Sequence, residues 1–187
     1  MKVLLIFFTF LLSFDCLADS EAMPYSYIEL VGRKNKFFHM VPEKFHFDGR
    51  EKIIEQEAYG IAYQIEQDGS FQRLWSVHGW YSFSVYLTSD AVHMVRMGKW
   101  HRGHSPKPRD IAFEFYENGK LLKQYFVLDL LQDPESVRPS VSHYRWLDRR
   151  NGEYPKLEFP FFEIKTVEGN ILTFNVQNGE KIVRIVP

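Results

Sequence analysis

From Tyr81 onward, Tyr81, Phe83, Val85 and Leu87 alternate with Ser82, Ser84 and Thr88. Successive side chains of an extended chain point to opposite faces, so this spacing predicts a strand over 81–88 with one face buried. Ser89-Asp90 then reads as a tight turn and 92–100 as a second strand. Val92, Met94, Val95 and Met97 put apolar side chains on both faces of that second strand. A strand covered on both sides reads this way, which places it inside a sheet. Strands at 111–117 and 121–127 follow. Upstream, Tyr27 to Val31 and Phe37 to Val41 read as strands, the latter ended by Pro42, while the charged stretch from Arg50 to Ala58 suggests a helical turn or two.

The chain also repeats itself. Residues 61–75 (IAYQIEQDGSFQRLW) lie over residues 111–125 (IAFEFYENGKLLKQY) without a gap, at an offset of 50. Each segment carries Asp-Gly or Asn-Gly at its centre, the strongest short hairpin signal, since both turn positions favour a positive φ. Glu168-Gly169 falls at the same offset in a third hairpin, and Asn178-Gly179 sits in a last one between 171–176 and 181–186. A period near fifty with four short strands per unit resembles the blades of β-propellers. The resemblance is at the level of fold and implies an all-β chain of antiparallel hairpins and meanders in about three blade-like units. A β-sandwich or an open barrel are the alternatives.

Composition narrows this picture. Seventeen Phe and ten Tyr raise the aromatic share to 17%, which favours strands. The net charge of −1 argues against a nucleic-acid partner, which calls for a basic face. Lys2, the apolar run from Val3 to Leu12 and the small Ala18 form the pattern of a secretory signal peptide over 1–18. The apolar run is shorter than a membrane span of roughly 20 residues. The expected product is an exported chain, periplasmic or extracellular, with one all-β domain over 19–187 and no membrane span in the mature chain. Cys16 is the only cysteine and leaves with the leader, so no disulfide supports the fold.

Candidate chemistry collects at strand ends. Trp80, Trp100 and Trp146 offer large apolar area with a polar tip, suited to stacking on a sugar ring or anchoring a peptide. His101, His104 and His143 lie close to them in the sequence, in or at the edges of the loops 102–110 and 132–142, which are longer than hairpin turns require. The leading expectation is a non-enzymatic binding or interaction module for a protein, peptide or glycan ligand, using a rim of Trp80, Trp100, His101, His104, His143 and Trp146. It needs no cofactor, and oligomerisation stays open. The alternatives are a metal-dependent hydrolase built on His101, His104 and His143, and a carbohydrate-binding module. The Ser140, Ser142 and His143 grouping lacks the Gly-x-Ser-x-Gly elbow of a nucleophile and reads as a turn.

Overall fold

The computed structural model describes residues 21–31 and 35–182. The expected signal peptide and most of the last strand, 183–186, lie outside these residues. Strands are antiparallel throughout, and the helical content of the described residues is two 3₁₀ turns, Val127–Asp129 and Pro134–Ser136. The fold is all-β, and no sheet closes into a barrel.

The strands form three four-stranded sheets. In the first, β1 (Tyr27–Leu30), β2 (Lys36–Val41), β5 (Tyr59–Ile65) and β6 (Phe71–His78) pair in that order, with the β3–β4 hairpin (Lys44–Asp48, Glu51–Gln56) inserted after β2. The middle sheet runs β7 (Val85–Leu87), β8 (His93–Met97), β9 (Ile111–Glu117), β10 (Lys120–Phe126). A two-residue ladder, β11 (Arg138–Pro139) with β12 (Tyr144–Arg145), leads to the third sheet. That sheet is β13 (Lys156–Glu158), β14 (Phe161–Lys165), β15 (Ile171–Asn175) and β16 (Lys181–Ile182).

The two-faced apolar pattern of the second predicted strand has its explanation here. β8 lies between β7 and β9, and its neighbours in sequence serve different cores. Met94 packs with Phe38, Met40, Ala62, Trp75 and Val77 of the first sheet, whereas Val95 and Met97 pack with Phe162, Ile164 and Phe174 of the third. β9 divides in the same way, with Phe113 and Phe115 toward the third sheet and Tyr116 toward the first. Period two thus sends alternate side chains of one strand into two cores.

Three details depart from the sequence pattern. The strand expected over 81–88 is extended only at Val85–Leu87, because Ser82 is buried and its hydroxyl donates to the carbonyls of Ser84 and Met97 rather than facing water. The turn after it spans Thr88 to His93, with Ala91 at φ 57°. The helical turn expected over 50–58 is instead strand β4, which pairs Glu51 with Asp48 around Gly49 at φ +62°. Asp48-Gly49 is the same hairpin signal as those of the repeat, and it outweighs the charge of the segment.

The fifty-residue repeat corresponds to the third and fourth strands of the first two sheets, with a difference of register. Asn118 and Gly119 both take positive φ in a two-residue turn that pairs Glu117 with Lys120. At Asp68-Gly69 only the glycine does. Glu66 N donates to Ser70 O (2.9 Å) and Gly69 N to Glu66 O (3.0 Å), closing a three-residue loop. The Glu168-Gly169 turn joins β14 to β15, the second and third strands of its sheet, so the pair equivalent to β5–β6 and β9–β10 is β15–β16.

The two turn glycines differ in surroundings. A Cβ on Gly69 would meet nothing within 4 Å, whereas one on Gly119 would lie 2.6 Å from Ser76 O and 3.3 Å from the Trp75 ring. Gly69→Ala is therefore expected to cost only the left-handed strain, about 1 kcal/mol, and Gly119→Ala about 3 kcal/mol as the first and middle sheets are forced apart. Urea unfolding of both variants checks this, and equal losses would contradict the close approach.

Candidate functional site

Where β8 ends, the chain leaves the middle sheet and opens a cavity. Gly98 N still donates to Ala112 O at 2.8 Å, holding the chain against β9. A Cβ at position 98 would stand 1.7 Å from Ile111 O, so only glycine fits this approach. Lys99, Trp100 and His101 then run outward past β9.

Two further segments complete the walls. The β11–β12 ladder brings Arg138 opposite Arg145. The following residues, 146–148, pair beside the end of β14: Val167 N donates to Trp146 O and Asp148 N to Lys165 O. The resulting cavity of about 420 Å³ has Phe83, Met97, Trp100 and Leu147 among its apolar walls.

Four of the six residues selected from sequence line this cavity: Trp100, His101, His143 and Trp146. The Trp100 and His143 rings are 3.9 Å apart between centroids, at 46°. Trp146 is 7% exposed and stacks on Phe113 in the core, so it contributes a wall and no free face. His101 is buried, with Nε2 2.9 Å from Ile111 O and its ring stacked on Tyr144. The loops expected to carry binding residues are joined to each other by the Arg102–His143 bridge and by Gly103 N donating to Ser142 O. Ser140 N donates to His143 O, so the Ser-Val-Ser-His stretch is the turn between β11 and β12.

The other two lie elsewhere. Trp80 covers Arg96, whose guanidinium carbon sits 4.3 Å from the ring centroid, and tilts against Tyr116. Arg96 in turn donates to Glu114 at 2.6 Å across β8 and β9, and Tyr116 donates to the same carboxylate oxygen at 2.7 Å. Trp80 is thus the cover of a buried ion pair. His104 is exposed, with Nε2 3.4 Å from Val141 O. His101, His104 and His143 do not converge, and among the described residues no group of three His, Cys, Asp or Glu is placed to hold a metal ion.

No family model, no curated protein and no solved structure matches this chain. The site must be read from its own chemistry.

That chemistry is basic at the mouth and apolar within. Lys99, Arg138, Arg145, Arg149 and Arg150 line the cavity beside a single carboxylate, Asp148. Arg150 grips Asp148 with two bonds, Nε to Oδ1 at 2.9 Å and Nη2 to Oδ2 at 2.8 Å, and holds that carboxyl well below the usual carboxylate range. The sequence pattern did carry a signal for this wall, since Arg138, Arg145, Arg149 and Arg150 stand against Asp148 alone within 138–150.

Two wall residues, His101 and Tyr144, form a polar group with Asp110. Asp110 accepts from the Tyr144 hydroxyl at 2.5 Å and from Lys107 N at 2.9 Å, and its other oxygen is 3.5 Å from His101 Nδ1. Burial pushes the Tyr144 phenol up, and its bond to Asp110 adds to the shift. Burial pushes the His101 imidazole down, against the opposing pull of Asp110 and the Ile111 carbonyl. A histidine whose folded pKa is lowered binds protons better when unfolded, so its contribution to stability is whole above its ordinary value, about 6.5, and is lost as pH falls below it. The melting temperature should therefore fall between about pH 7.5 and about pH 5.5, and fall less in His101→Gln. Thermal unfolding across that range checks it, and an identical slope in the variant would contradict the assignment to His101.

Proposed function

We propose that this chain is an exported, non-enzymatic binding module that takes one small ligand into the cavity walled by Trp100. A single observation carries the reading: four residues chosen from strand-end chemistry, Trp100, His101, His143 and Trp146, converge on one cavity of about 420 Å³. Pockets that hold small molecules have this size, with mostly apolar and aromatic walls and a few placed polar groups. Export rests on the leader pattern over 1–18. The kinship of the three sheets with propeller blades belongs to the same proposal and rests on the fifty-residue repeat.

A sugar-stacking platform fits less well, because such platforms present flat ring faces to water, whereas Trp146 is buried, Trp80 lies over Arg96 and Trp100 packs on His143. A hydrolytic reading would need ligands or a nucleophile in reach of one another; His101 and His143 share the cavity wall, but His104 lies outside it and among the described residues the three form no metal-holding group.

The neutral fluorescent probe N-phenyl-1-naphthylamine tests the pocket directly. Saturable binding of one probe per chain is expected, weakened about tenfold or more in Trp100→Ala. Trp80→Ala should leave probe affinity unchanged and lower stability by about 2–3 kcal/mol, since it uncovers Arg96 and Glu114. Absence of saturable binding, or equal loss in both variants, would contradict the proposal.

A further inference from the structure

We infer that the ligand of the cavity is a small amphipathic anion: an apolar or ring body that enters between Trp100, Met97 and Leu147, with a carboxylate or phosphate left at the mouth among the arginines. This rests on the pocket reading given above and names the chemistry of its occupant.

The first argument is charge segregation. The whole chain carries 23 Lys and Arg against 24 Asp and Glu, yet the cavity wall carries Lys99, Arg138, Arg145, Arg149 and Arg150 against Asp148. Asp148 is taken up by Arg150. Among the described residues no carboxylate lies within 4.0 Å of Lys99, Arg138, Arg145 or Arg149, although ion pairs are made elsewhere on the surface by Lys52, Lys123 and Lys156. Among the described residues these basic side chains thus lack a carboxylate partner, in a chain that has acids enough to pair them.

The second argument is geometric and independent. Arg138 and Arg145 stand directly opposite each other on the β11–β12 ladder. Like charges at facing strand positions repel and weaken a ladder, and this ladder has only two residue pairs. Burial does little to offset that placement, since Arg145 is exposed and Arg138 only half-buried. An anion between the two guanidiniums removes the repulsion and is met by planar donors in the fork geometry that suits carboxylate and phosphate.

The third argument concerns the body of the ligand. Phe83, Met97, Ala112 and Leu147 line the interior. A bare inorganic anion would leave these walls against water. An acyl chain or an aromatic ring would fill them, and the shared chemistry of the two is an acid group on an apolar body.

Two probes of nearly one shape separate the contributions: 8-anilinonaphthalene-1-sulfonate, which carries an anion, and N-phenyl-1-naphthylamine, which does not. The sulfonate should bind the wild-type protein more tightly than the neutral probe, and less tightly as salt is added. In the double variant R138Q/R145Q the sulfonate should weaken about tenfold or more, with the neutral probe within about twofold of wild type. Circular dichroism confirms that the variant is folded. Dodecanoate and 1-naphthoate then compete with the bound sulfonate. Stronger displacement by dodecanoate assigns the acid to an acyl lipid, stronger displacement by 1-naphthoate to a soluble aromatic acid, and displacement by neither overturns the inference. Equal affinity for both probes, unchanged in R138Q/R145Q, overturns it while leaving the pocket reading intact. Failure of both probes to bind overturns the two together.

Discussion

The arrangement of this protein depends on one constraint: the inner strands of the middle sheet have no face that suits water. Met94 and Tyr116 belong to one core, and Val95, Met97, Phe113 and Phe115 to the other. Burying a large apolar side chain contributes about 1.5–3 kcal/mol, so leaving either face open would forfeit several such contributions. The middle sheet is stable only between two partners. The first and third sheets, each with one strongly apolar face, are what it is placed between. Where a charge does enter this interior, at Arg96 and Glu114, it is cross-strand paired, bonded to Tyr116 and covered by Trp80. Removing one member of such a pair costs far more than the pair itself contributes.

The cavity follows from the way the chain escapes this constraint. β8 ends at Met97, and the next residue must pass so close to β9 that no side chain fits. Beyond Gly98 the chain leaves the ladder through Lys99 and Trp100, with His101 still against Ile111 O at the start of β9, while residues 138–150 cross over the same end of the sheet on their way to the third. The two crossings meet at the Arg102–His143 bridge. Trp146 is buried and Leu147 half-buried, while Lys99, Arg145, Arg149 and Arg150 remain exposed. A site with an apolar interior and a cationic mouth is thus a consequence of where two connections cross the end of a doubly buried strand.

Much of the scaffold was legible in the sequence because period two is a local signal. The Asn-Gly hairpin signal at the centre of 111–125 is enough to place that strand pair, and the two-sided apolarity of 92–97 places its strand inside a sheet. The repeat identified a genuine strand pair in two sheets, although a gapless match concealed that Asp68-Gly69 and Asn118-Gly119 close loops of different length. What period two does not encode is which strand pairs with which over long range. Ser82 looked outward-facing because its partner carbonyl, Met97 O, is fifteen residues away. The β3–β4 hairpin was hidden by its charges, though its Asp48-Gly49 turn was in plain view. The site followed the same division. Trp100, His101, His143 and Trp146 were legible as chemistry at strand ends. The excess of arginine over 138–150 was in view too, but not its convergence on one wall, because Arg138, Arg145 and Arg149 become neighbours only through the β11–β12 ladder and the path beside β14.

The central claim is that the middle sheet, held from both faces, is the last part of the structure to open. Native-state hydrogen exchange tests it most directly, since amides released only by global unfolding report the most stable element. The amides of β8 and β9, Met94 to Met97 and Ala112 to Tyr116, should exchange most slowly and all at one common rate, with those of the exposed β3–β4 hairpin fastest. Slower exchange in β2 and β14 than in β8 and β9 would mean that the outer sheets persist without the middle one, and would contradict the account.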